Sequence, residues 1–122
     1  MAKILIVDDS GLSRRILRAI LEEGGHEVAE AEDGLLALER FAIDRPELTL
    51  LDLTMEGIHG FEVLEKLREI DPGAKVIVAS ADIQKSTREM AAAKGGQGFV
   101  QKPFKADKVL ETVDSVLKGD PK

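Results

Sequence analysis

Five polar residues stand where short apolar runs end. Asp8 and Asp9 follow Ile4-Leu5-Ile6-Val7, Asp52 follows Leu50-Leu51, Ser80 follows the run ending at Ala79, and Lys102 follows the short strand-like stretch Gly98 to Gln101. Each type has a task in phosphoryl chemistry. Three carboxylates drawn together repel one another and invite a hard cation with oxygen ligands, for which Mg²⁺ (or Mn²⁺) is suited. A carboxylate can act as the nucleophile and become an acyl phosphate. A lysine supplies a point positive charge to a phosphoryl oxygen, and a hydroxyl can donate a hydrogen bond to another. Such a reaction depends on positioning and charge stabilisation more than on further covalent chemistry.

Each residue also has an ordinary structural use. Asp8-Asp9 with Ser10 can cap a helix, a lone Asp at a strand end is commonly a turn residue, and Lys102-Pro103 suits a surface turn. Caps and turns do not account for all of them standing together at matching strand ends.

The elements that must position these residues alternate along the chain. Lys3 to Val7, Leu48 to Leu51, Lys75 to Ala79 and Gly98 to Gln101 read as buried strands, and Glu27 to Ala31 as a short polar strand at an edge. Between them, helical spacing appears at Leu12, Ile16, Ala19 and Ile20, stopped by Gly24-Gly25. It returns at Leu35, Leu38 and Phe41 after Asp33-Gly34, and at Phe61, Leu64 and Leu67 before Asp71-Pro72-Gly73. An Ala-rich helix spans Ile83 to Ala93, with Met90 read at a core position, and Val109, Val113, Val116 and Leu117 mark the last helix. Five strands alternating with five helices predict an α/β fold: a doubly wound, flavodoxin-like parallel sheet, order 2-1-3-4-5, with helices on both faces. Ligands of such sheets bind beyond the carboxyl ends of the strands, where the order reverses between strands one and three.

Composition bounds the rest. The 122 residues suffice for one domain, read as 1–118 with a frayed tail at 119–122. A net charge of −6 argues against direct nucleic-acid binding, which rewards clustered Lys and Arg. No apolar run reaches membrane length, no signal-peptide pattern follows Met1, and the absence of cysteine excludes disulfides and thiolate metal sites. A cytoplasmic location is expected, with any output domain on another protein or in a part of a larger regulator outside this sequence.

The order and combination of Ile4-Leu5-Ile6-Val7-Asp8-Asp9-Ser10, Ala31-Glu32-Asp33-Gly34, Leu50-Leu51-Asp52-Leu53-Thr54-Met55, Gly60-Phe61-Glu62-Val63-Leu64, Ala79-Ser80-Ala81 and Phe99-Val100-Gln101-Lys102-Pro103-Phe104 resembles the receiver domain of two-component response regulators, over essentially the whole chain. The resemblance implies a chemotaxis-regulator-like signalling phosphoacceptor, not a turnover enzyme, that assists its own phosphorylation and dephosphorylation. It implies Asp52 as phosphoacceptor. Asp9, Asp52 and the backbone carbonyl of Thr54 would ligate Mg²⁺, with Asp8 assisting. Lys102 and Ser80 would contact the phosphoryl group. Ser80 and Phe99 would form a switch, and Lys102-Pro103 would be a cis bond. The phosphoryl donor would be a histidine on a sensor histidine kinase or phosphotransfer protein, and a downstream protein would read the face of helix four, strand five and helix five.

Three positions depart from the family pattern. Glu56 follows Met55 where proline is usual, Ser80 replaces threonine, and Gly95-Gly96 stands for Gly-Ala, which should loosen that loop. Thr54 and Asp82 are expected to tune hydrolysis of the acyl phosphate. His26 and His59 read as surface residues, and Arg14 and Arg15 as a solvated face beside the crevice. Competing readings are an Asp-nucleophile phosphohydrolase, disfavoured because Thr54 stands where such enzymes carry a second Asp; a nucleotide or flavin module, disfavoured because no Gly-x-Gly-x-x-Gly or Walker-type loop follows a strand; and a receiver-like interaction module independent of phosphorylation.

Overall fold

The computed structural model describes residues 2–53, 60–81 and 84–119. Five strands, β1 (Lys3–Val7), β2 (Glu27–Ala31), β3 (Leu48–Asp52), β4 (Val76–Ser80) and β5 (Gly98–Gln101), alternate with α1 (Gly11–Glu23), α2 (Gly34–Asp44), α3 (Gly60–Ile70), α4 (Lys85–Ala93) and α5 (Ala106–Leu117). The strands are parallel in the order β2-β1-β3-β4-β5. This is the expected doubly wound sheet, with the polar strand β2 at one edge.

Strand alternation divides the core in two. Ile4, Ile6, Leu48, Leu50, Ile77, Ala79 and Val100 pack on one face against α1 and α5. Leu5, Val7, Leu51, Val76 and Val78 pack on the other against α2, α3 and α4. The central strands β3 and β4 are buried along their whole length, which is why they read as mostly apolar stretches instead of alternating ones.

Side chains start two helices at the crest of the sheet. Ser10 caps α1 by accepting the Ser13 N–H at 3.2 Å, and Asp33 caps α2 by accepting the Leu36 N–H at 2.8 Å. Among the described residues no helix is long and apolar enough to cross a membrane.

Four sequence expectations need correction. In α1 the buried face is Leu17, Ile20 and Leu21, whereas Leu12 and Ile16 are 64% and 42% exposed. Both sets recur at helical spacing, and only the position of the sheet selects between them. In α2, Leu35 is exposed and Gly34, Ala37 and Phe41 are buried. Met90 is 49% exposed; small Ala91 faces the core, because α4 packs close to the sheet. Asp52 and Ser80 are the last residues of their strands, not the first beyond them. The expected start of the fourth helix at Ile83, and all of the tail but Gly119, lie outside the described residues.

Candidate acidic phosphoacceptor site

Register explains why these residues meet. Val7 pairs with Leu51, so Asp8 and Asp52 come next on neighbouring strands at the same level. Both share strand parity with Ile4, Ile6, Leu48 and Leu50, and so project toward the α1 and α5 side. Asp8 and Asp52 are 1% and 2% exposed, while Asp9 is exposed at the rim. One carboxylate oxygen from each of Asp8, Asp9 and Asp52 lies within 4.8 Å of the others. Such a set of converging, mostly buried hard oxygen donors fits a small divalent cation.

Lys102 arrives from the end of β5. Its Nζ lies 3.1 Å from Asp8 Oδ2 and 3.3 Å from Asp52 Oδ2, and 5.8 Å from the centroid of the Phe104 ring. The Lys102 N–H donates to the Ser80 carbonyl at 3.0 Å, tying this segment to the end of β4. The Lys102-Pro103 bond is cis, as the family resemblance implied. Burial alone would lower the lysine's proton affinity, but Asp52 and Asp8 outweigh it and hold the ammonium form above its ordinary range. Asp8 shows the opposite balance. Burial pushes its pKa up, Asp52 adds to this, and the Ser10 N–H and Lys102 only partly offset it.

Ser80 is buried at the end of β4, sharing parity with Val76 and Val78 on the α4 side. Phe99 pairs with Val78 and lies half-buried on that same side. The Arg88 guanidinium of α4 sits over its ring, 4.7 Å from the centroid. Beside it runs a groove of about 600 Å³ between α4, β5 and α5, lined by Arg88, Phe99, Lys105 and Lys108 among others. Thr54, Glu56, His59 and Asp82 lie outside the described residues.

The structure adds contributors that sequence reasoning missed. Gly60 is needed because α3 starts hard against β3: a Cβ there would lie 2.5 Å from Leu53 Cα and 2.9 Å from the Asp52 carbonyl oxygen. Gly60 stood in a recognised motif, but nothing in the motif stated this reason. Gly95 adopts φ +106 with the Arg68 side chain 2.9 Å from where a Cβ would stand, so its use is conformational, and at Gly96, which replaces the usual Ala, a Cβ would lie 3.0 Å from the Ala91 carbonyl oxygen. Arg14, read as solvated, is half-buried and bonded to Glu30 and to the Asp8 carbonyl. His26 is also partly buried and accepts the Ala2 N–H through Nδ1 at 3.2 Å.

Residues 4–114 match the family model described as the response regulator receiver domain. The chain belongs to the response regulator receiver family. Among curated proteins it is 40% identical over 119 residues to the chemotaxis protein CheY of Listeria monocytogenes, covering 97% of this chain and all of that one. It is 40% identical over 116 residues to the CheY of Bacillus subtilis, covering 94% and 97%. Among solved structures it resembles the Vibrio cholerae chemotaxis protein CheY4, with a TM-score of 0.90 at 29% identity, covering 95% of this chain and 98% of that one. As a receiver, the chain is a signalling phosphoacceptor, and its acidic cluster stands at the crest where the strand order reverses.

Proposed function

We propose that this receiver takes a phosphoryl group on Asp52 from a phosphohistidine of a sensor histidine kinase or phosphotransfer protein, in a reaction that needs Mg²⁺ or Mn²⁺, and that the modification switches the α4–β5–α5 face. The observation that carries the proposal is the Lys102 ammonium shared by buried Asp8 and Asp52, with Asp9 completing the carboxylate cluster.

An Asp52 carboxylate oxygen attacks phosphorus, the donor's P–N bond breaks, and its electron pair returns to the imidazole nitrogen. Asp8, Asp9 and Asp52, with the Thr54 carbonyl, would hold the cation, which offsets negative charge on the phosphoryl oxygens. Lys102, already between two carboxylates, can follow the charge onto the phosphoryl group. Phosphorylation adds about −1.5 to −2 charge units at one point. Ser80 is drawn toward them. Because Phe99 shares the same side of the sheet, movement of Ser80 opens space into which its ring can turn, remodelling the groove that a downstream protein reads. In this reading Thr54 and Asp82 tune hydrolysis of the acyl phosphate.

Intact-protein mass after incubation with acetyl phosphate tests the reaction. A single phosphoryl adduct that requires Mg²⁺ and is lost in Asp52→Ala is the expected result. No adduct on wild type, with Mg²⁺ binding confirmed separately, would favour a module acting through protein contacts alone.

A further inference from the structure

Strand β2 reaches the crevice through Arg14 of α1. Glu30 of β2 accepts the Arg14 Nε–H at 3.0 Å and the Arg18 Nε–H at 2.6 Å. Arg18 is held in turn by Glu22, at 3.1 Å. The other end of the Arg14 guanidinium turns inward, where Nη1 donates to the Asp8 carbonyl at 2.7 Å. The Arg14 and Glu30 side chains are 18% and 27% exposed, sheltered enough for the pair to hold its geometry.

That carbonyl belongs to the peptide joining Asp8 to Asp9. A peptide is planar, so fixing its oxygen fixes the amide through which Asp9 leaves. The rest of Asp8 is pinned as well: its N–H donates to the Ala31 carbonyl at 3.2 Å, Oδ1 accepts the Ser10 N–H at 2.9 Å, and Oδ2 faces Lys102. Arg14 closes the set on the side facing β2. An arginine suits the place because its fork offers separate donors to a carbonyl and a carboxylate; a lysine ammonium offers one point charge on a flexible stem.

We propose that Arg14, braced by Glu30 and Arg18, is a positioning residue that holds the Asp8–Asp9 peptide and thereby sets the divalent-cation affinity of the crevice. The proposal rests on the metal reading above. It carries a sign that a merely electrostatic role cannot share. A cation beside three carboxylates repels Mg²⁺, so if charge were its only effect, removing Arg14 would tighten binding. If Arg14 positions the acids, removing it weakens binding although a repelling charge has gone.

The experiment is an amide-resolved NMR titration of the full chain with Mg²⁺, for wild type, Arg14→Met, Arg14→Lys and Glu30→Gln, with urea unfolding in EDTA alongside. Arg14→Met should raise the Mg²⁺ dissociation constant on the order of tenfold and speed hydrogen exchange at the Asp9 amide before metal is added. Arg14→Lys should recover part of the affinity. Glu30→Gln should weaken binding and add little to Arg14→Met, since both act through one contact. Equal or tighter binding by Arg14→Met overturns the proposal. Should Arg14→Met fail to fold, unchanged affinity in both Arg14→Lys and Glu30→Gln overturns it instead. A wild type showing no Mg²⁺-dependent shifts at Asp8, Asp9 and Asp52 overturns the metal reading itself, and that arm involves no variant.

Discussion

Replacing Asp8 with Asn should stabilise the metal-free protein while impairing it as a receiver. Asp8 Oδ2 is 3.1 Å from Lys102 Nζ, an attraction of about 5 kcal/mol at an effective dielectric of about 20. Its carboxylate lies within 4.8 Å of those of Asp52 and Asp9, and the repulsion from Asp52 is at least about 3.5 kcal/mol on the same scale, that from exposed Asp9 being screened to less. Attraction and repulsion therefore nearly cancel, and burial decides, consistent with the upward displacement of the Asp8 pKa. The charged carboxylate is a net cost to folding, and Asn removes it while its side-chain oxygen can still accept the Ser10 N–H. The expected gain in EDTA at pH 7 is about 1–2 kcal/mol, within the range of a desolvated polar group.

Linkage gives its pH dependence. A carboxyl whose folded pKa is raised penalises folding above that pKa, and the penalty disappears below the unfolded value. The advantage of Asp8→Asn should thus shrink as pH falls through the raised Asp8 pKa. Excess Mg²⁺ should reverse the order, since the wild type gains about 2.7 kcal/mol at a hundred times its dissociation constant. Urea unfolding at pH 7 and near pH 4, with EDTA or Mg²⁺, measures all three effects. An Asp8→Asn variant less stable than wild type in EDTA at pH 7 would refute the reasoning.

Gly60→Ala forces a Cβ onto the Leu53 and Asp52 backbone, and should cost about 2–3 kcal/mol in urea unfolding and slow acetyl phosphate labelling. Thr49 is fully buried and its Oγ1 has no hydrogen-bond partner among the described residues, so Thr49→Val should raise stability by about 1 kcal/mol in the same assay. Glu30 would be raised by burial, but Arg18 and Arg14 outweigh this and hold it below the usual carboxylate range. Its contribution is present above the unfolded pKa and lost as pH falls through the depressed folded one, so Glu30→Gln should lose about 1 kcal/mol at pH 7 and progressively less in acid.

The strand pattern and the crest residues were legible in the sequence because they depend on local facts. A buried parallel strand must be largely apolar, and a parallel sheet places its strand ends along one edge, so the meeting of Asp8, Asp9, Asp52 and Lys102 could be read from their positions alone. The sharing of Lys102 between Asp8 and Asp52 required more, since it depends on register: Val7 opposite Leu51 sets the two carboxylates side by side. Helix faces were the weakest reading. α1 is apolar at Leu12 and Ile16 as well as at Leu17, Ile20 and Leu21, and periodicity cannot choose between stripes that only the neighbouring sheet distinguishes. Arg14 and Glu30 were unreadable for a related reason. They are 16 residues apart on different elements, and each has the composition of an ordinary solvated surface. Residue types and their order determined the fold and the chemistry available at its crest. The packing of α1 across β1 and β2 decided which charges face water and which hold the acids in place.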